Sequence, residues 1–144
     1  MASFPHEYKI STAGGPEGVL PVESPGLPTL ETHAPADFGG PGSYWSPETM
    51  LTGAVANCLI LTFRALARGQ NLEWSNLEVN CTGTVDKTRE GLKFTKFDLD
   101  AILTIGGAAD EAKARQLLEN AKKYCLVTAS LAAETHMNAE IRTS

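Results

Sequence analysis

The stretch "SPETMLTGAVANCLILTFRALARG", residues 46–69, limits what this chain can fold into more than any other. A serine followed by proline and glutamate marks a helix start. The hydroxyl caps free amides, proline has no N–H to leave unpaired in the first turn, and the carboxylate meets the positive end of the helix dipole. The helix is expected to run from Pro47 to about Arg68, with Gly69 as its stop. At about 22 residues it would be ~33 Å long, near the width of a small domain. Met50, Leu51, Val55, Leu59, Ile60, Leu61 and Phe63 leave it no broad polar face. A helix apolar all round belongs inside a core or between subunits. Its longest nearly uncharged run, Met50 to Phe63, falls short of the ~20 residues of a membrane span, so no membrane partner is expected.

The chain on either side is different in kind. All eight prolines and seven of the thirteen glycines lie within residues 1–47, which read as a β-rich arm of short strands and turns, among them "HEYKIS" and "VLPVES". After the helix, "NLEVNCTGTVD" alternates with Leu77, Val79 and Cys81 on one face, which gives Cys81 a structural role. "GLKFTKFDLDAILTI" alternates in two phases, Leu92 and Phe94 in one, Phe97 through Ile105 in the other. A β-bulge near Thr95–Lys96 would bring both sets to the same side, and "TREG" is the hairpin turn. "ADEAKARQLLENAKKY" reads as an amphipathic helix, "CLVTASLAAET" as a further helical turn or two, and "MNAEIRT" as a closing strand. The class is α+β in a single domain over residues 1–144, an arm (1–46) preceding a helix–hairpin–helix–strand core (47–144).

Charge and cysteine usage narrow the function. A net charge of −5 with twelve scattered basic residues excludes a phosphate-backbone ligand, so no nucleic acid is expected. "MASFPHEYKI" lacks a basic segment followed by an apolar one, which places the protein in the cytoplasm, where thiols stay reduced. His6, His33 and His136 have no ligand spacing, so neither a metal nor a cofactor is expected. Three cysteines, Cys58, Cys81 and Cys125, leave at least one unpaired; taken alone, Cys58 and Cys125 both read as packing residues.

"SPETMLTGAVANCLILTFRALA" resembles the core of the OsmC/Ohr family, in which a proline–glutamate pair stands ten residues ahead of a cysteine on a long buried helix. Pro47-Glu48 and Cys58 keep that spacing, and "AKKYCLVTASLA" puts Cys125 where the family's second cysteine follows a later helix. The resemblance implies antiparallel sheets packed around the central helix in an intertwined homodimer. It also implies reduction of an organic hydroperoxide by Cys58, resolution by Cys125, and re-reduction by an external dithiol. Ten residues of helix span ~15 Å, so Glu48 would serve the thiol of the partner subunit; its other role is to stabilise its own helix start. Where the family carries an arginine on the arm, "GGPEGV" has Pro16, and no arginine precedes Arg64. Arg64 itself lies roughly 240° around the helix from Cys58. Burial without a cation raises a thiol's pKa, and Lys9, His33 or a partner residue would have to substitute. An alternative therefore stands beside the peroxidase: a binding or stress-sensing protein on the same scaffold.

Overall fold

The computed structural model describes residues 3–144, which fall into two compact units divided between Met50 and Leu51. The N-terminal unit holds a three-stranded antiparallel sheet, β1 (Ser11–Thr12), β2 (Leu20–Glu23) and β3 (Leu30–Thr32). The strand expected over His6–Ser11 is reduced to Ser11–Thr12. Ser11 pairs with Glu23, and at Ser24 the opposite chain turns away, Leu27 N–H donating to Ser24 O at 3.1 Å; the ladder gives way there to a side-chain bond, Ser24 Oγ donating to Lys9 O at 2.8 Å. β3 was not legible as a strand, being only three residues between two prolines.

The long helix α1 spans Pro47–Gly69. Its start is a reciprocal cap: Thr49 N–H donates to Ser46 Oγ at 3.1 Å, and Ser46 N–H donates to Thr49 Oγ1 at 2.8 Å. Threonine takes the place that glutamate fills in the usual capping box. At the far end Gly69 is still helical; the left-handed residue is Asn71 (φ 53°), and Leu72 N–H closes on Ala67 O at 3.3 Å. Asparagine tolerates this conformation almost as glycine does.

The second unit contains α1 from Leu51 onward and a sheet of order β4–β5–β6: β4 (Trp74–Thr88), β5 (Gly91–Ile105) and β6 (Glu134–Thr143). β4 and β5 form the expected hairpin, turning at Arg89-Glu90. Thr84 pairs with Lys96 and Val85 with Phe94, so Thr95 is the extra residue of a bulge. The bulge brings Phe94 onto the face of Phe97, and the two rings stack at 4.9 Å. β6 departs from the antiparallel expectation: it runs parallel to β5, Lys96 opposite Glu134 through Ile105 opposite Thr143. Between them α2 (Glu111–Tyr124) and α3 (Leu126–Ala129) carry the chain back to the end where β5 began, which is the crossover a parallel pair requires.

One core joins these elements. Val55, Leu59, Phe63 and Ala67, one per turn of α1, pack with Phe97, Leu99, Ala101, Leu103 and Ile105 of β5 and with Ala114, Leu117, Leu118 and Ala121 of α2. By length and composition α1, with mean hydropathy 1.6, would suffice to cross a membrane, but this row belongs to the core of the fold. The all-round burial expected of α1 is not met within one chain: its other faces are only half-buried, and Leu61 is 58% exposed.

Gly83 marks the closest approach in this core. A Cβ there would lie 2.7 Å from Thr52 Oγ1, 2.8 Å from Phe94 and 2.9 Å from Phe97. Gly83→Ala is expected to cost about 1–3 kcal/mol through overpacking, read as a lower urea midpoint at unchanged slope. An unchanged midpoint would mean that α1 and the aromatic pair yield freely there.

Candidate functional site

Two cysteines far apart in sequence meet in the second unit. Cys58 stands on α1 three residues after Val55, just beside the buried row, and is half-buried. Cys125 ends α2 in an extended conformation (ψ 113°) and starts α3, the one non-helical joint between them, and it is buried. The two thiols are close enough to act on each other's protonation. Both are free thiols.

Burial exerts the largest single influence on Cys58 and raises its pKa. Opposing it are the Cys125 thiol, the backbone N–H of Val127, the Thr62 hydroxyl and the backbone N–H of Leu126, and together these bring Cys58 below its ordinary value. Thr62 Oγ1 is 3.8 Å from Cys58 Sγ, one turn on along α1. The same contact acts in reverse on Cys125, whose pKa is raised first by burial and then by Cys58, against weaker opposing bonds from Thr128. One thiol is thus favoured as thiolate and its neighbour as the protonated donor. The upward shift expected for a buried Cys58 without a cation is therefore corrected. Hydrogen bonds lower its pKa, and every group supplying them is uncharged.

Cys81 stays apart from this pair. It lies on β4 opposite Leu99, packed against the core, and burial and then Asp98 push it up to about 11. Glu48 occupies the second position of α1, half-buried, ten residues before Cys58. Thr62, Leu126 and Val127 were missed at the sequence level. The i+4 spacing of Thr62 from Cys58 was a usable signal; the amides were not, because backbone donors leave no trace in side-chain identity. Among the described residues no group of histidines, cysteines and carboxylates could hold a metal ion.

The family profile of OsmC-like proteins matches residues 40–140. The chain belongs to the OsmC-like protein family. An uncharacterized Bacillus subtilis protein, YmaD, is 27% identical over 97% of this chain and 95% of its own length. An OsmC-like protein of unknown function from Vibrio cholerae has the same fold, with a TM-score of 0.86 over 94% of this chain and 100% of that one, at 16% identity. An organic hydroperoxide resistance protein OsmC from Legionella pneumophila follows at 0.72 and 19% identity, covering 97% and 99%. A putative organic hydroperoxide resistance protein from Vibrio cholerae, with captopril bound in one of its active sites, gives 0.71 and 21% identity over 98% and 93%.

The opposed pKa directions set Cys58 apart from the other two thiols. A lowered pKa means thiolate at lower pH, so iodoacetamide at about pH 8 should label Cys58 ahead of both Cys81 and Cys125. Peptide mass spectrometry over a pH series reads the order directly, and faster labelling of Cys81 would contradict the assignment.

Proposed function

We propose that this protein reduces organic hydroperoxides through the Cys58/Cys125 pair. The observation that carries the reading is the opposed influence of the two thiols on each other, which pushes Cys58 toward thiolate and Cys125 toward thiol. The Cys58 thiolate attacks the terminal peroxide oxygen; an S–O bond forms, the O–O bond breaks, and the departing alkoxide takes a proton to become an alcohol. Cys125 then attacks the Cys58 sulfenic acid, forming the disulfide and releasing water, which halts oxidation short of irreversible acids. An external dithiol exchanges with the disulfide and restores both thiols, so no further cofactor is needed. Apolar surroundings of the thiol favour alkyl or aryl peroxides over hydrogen peroxide, and a cytoplasmic setting keeps the dithiol pool reduced.

The working unit in this reading is an intertwined homodimer of 144-residue, single-domain subunits. The faces of α1 left half-covered, with Leu61 exposed, need a partner surface. Glu48, too far along α1 to serve its own thiol, acts in the site of the partner subunit. A second reading, a binding or stress-sensing protein that keeps the pocket without efficient turnover, draws on Pro16 standing in place of the family's arginine.

Cumene hydroperoxide consumption with a dithiol reductant separates the two. Turnover should be abolished in Cys58→Ser, reduced to a single oxidation event in Cys125→Ser and retained in Cys81→Ala. Peroxide loss equal in wild type and Cys58→Ser would leave the binding reading standing. In equilibrium sedimentation the expected mass is twice that of the chain, and a single-chain mass at micromolar concentration would remove the dimer and the assignment of Glu48 with it.

A further inference from the structure

Four neutral groups act on Cys58, and three of them belong to residues that the proposed reaction leaves without a role: Thr62, Leu126 and Val127. The amides come from the chain immediately after Cys125, at the start of α3. Thr62 comes from the other side, on α1 itself, half-buried and 3.8 Å away. A helical threonine ordinarily turns its hydroxyl back to the carbonyl one turn earlier, here that of Cys58. Its hydroxyl instead reaches the Cys58 sulfur. Hydrogen bonds to a charged acceptor are the strong ones, and a thiolate is such an acceptor.

The charged and titratable surroundings sharpen the point. From the joint between α2 and α3, the titratable group acting on Cys58 is Cys125. On its own helix Arg64 lies roughly 240° away around the axis. Neither α1 nor the α3 segment supplies Cys58 with a cation.

We propose that Thr62 is a positioning residue of the Cys58 site: its hydroxyl donates to the thiolate and, with the Leu126 and Val127 amides, stabilises it by neutral donors in place of a cation. This deepens the peroxidase reading and rests on it for its functional consequence. Its physical content concerns only the protonation of Cys58. Thiolate held by neutral dipoles differs from thiolate held by a guanidinium in two ways. It depends on each hydroxyl or amide in turn, and it is insensitive to salt, because screening acts on charge–charge interactions.

The test is the pH dependence of Cys58 alkylation by iodoacetamide, followed by peptide mass spectrometry, in the full-length protein and in Thr62→Val and Thr62→Ser. Thr62→Val keeps the branched shape and removes the hydroxyl, and should raise the alkylation midpoint by roughly half to one pH unit. Thr62→Ser, which restores a hydroxyl, should return it to near the wild-type position. Raising sodium chloride from about 0.02 to 0.5 M should leave the wild-type midpoint in place. A Thr62→Val midpoint equal to that of wild type would show that Thr62 only packs, and a midpoint that climbs with salt would show that a cation stabilises the thiolate. If Thr62→Val does not fold, as judged by circular dichroism, the salt series on wild type and the Thr62→Ser profile still decide the question. Because alkylation reads Cys58 whether or not a peroxide is turned over, a negative peroxide assay would remove the proposed activity without touching this result.

Discussion

The packing of one row on α1 against one face of β5 is the constraint on which the C-terminal unit depends. Val55, Leu59, Phe63 and Ala67 recur every fourth residue, and Phe97 through Ile105 recur every second residue. The two periods, helical and extended, mesh only when the strand presents all its large residues on the same side. The bulge at Thr95 extends that side to Phe94, and Gly83 leaves the space in which the two phenylalanines and Thr52 come together. Burying these side chains at about 25 cal/mol per Å² of apolar area supplies the main stabilisation. Because α1 is fixed by that row, the residues beside it are fixed too, and Cys58 and Thr62 each lie three positions beyond a buried member of it.

The thiol site follows from this anchoring together with a break in the second helix. Cys125 ends α2 in an extended conformation, which turns the following amides out of the α2 ladder and frees them for another acceptor. Unpaired amides at a helix start seek such a partner, and the Cys58 sulfur is within their reach. The single contact between the thiols then separates their acidities, since the donor of a hydrogen bond holds its proton more firmly and the acceptor less so.

Much of this was legible in the sequence because it rests on side-chain periodicity and on local signals. The start of α1 at Ser46-Pro47, the bulge near Thr95 and the turn after Thr88 each leave a residue pattern that chemistry makes readable. So did the pairing of Cys58 with Cys125, though only through the family's motif; spacing alone leaves two cysteines 67 residues apart unrelated. What stayed hidden depends on backbone geometry or tertiary partners. The direction of β6 is set by the crossover through α2 and α3, not by "MNAEIRT" itself. The left-handed end of α1 fell at Asn71 because packing of Leu72 carried the helix one residue beyond the expected stop. The lowering of Cys58 comes first from the Cys125 thiol, then from the Val127 amide, the Thr62 hydroxyl and the Leu126 amide; none of these is a cation, and the amides leave no mark in side-chain identity.

The parallel pairing of β6 carries a kinetic consequence. β4 and β5 meet across a two-residue turn, a closure that costs little chain entropy. β6 reaches β5 only between residues 38 apart, as in Asn138 beside Asp100. That closure cannot be offset until α2 has laid Ala114, Leu117, Leu118 and Ala121 into the core and shortened the effective loop. Contact order thereby favours one order of assembly: hairpin first, helix across its face next, last strand after that. Since the Cys125 joint lies at the end of α2, the two sulfurs come together in the middle of this sequence, before the sheet is complete.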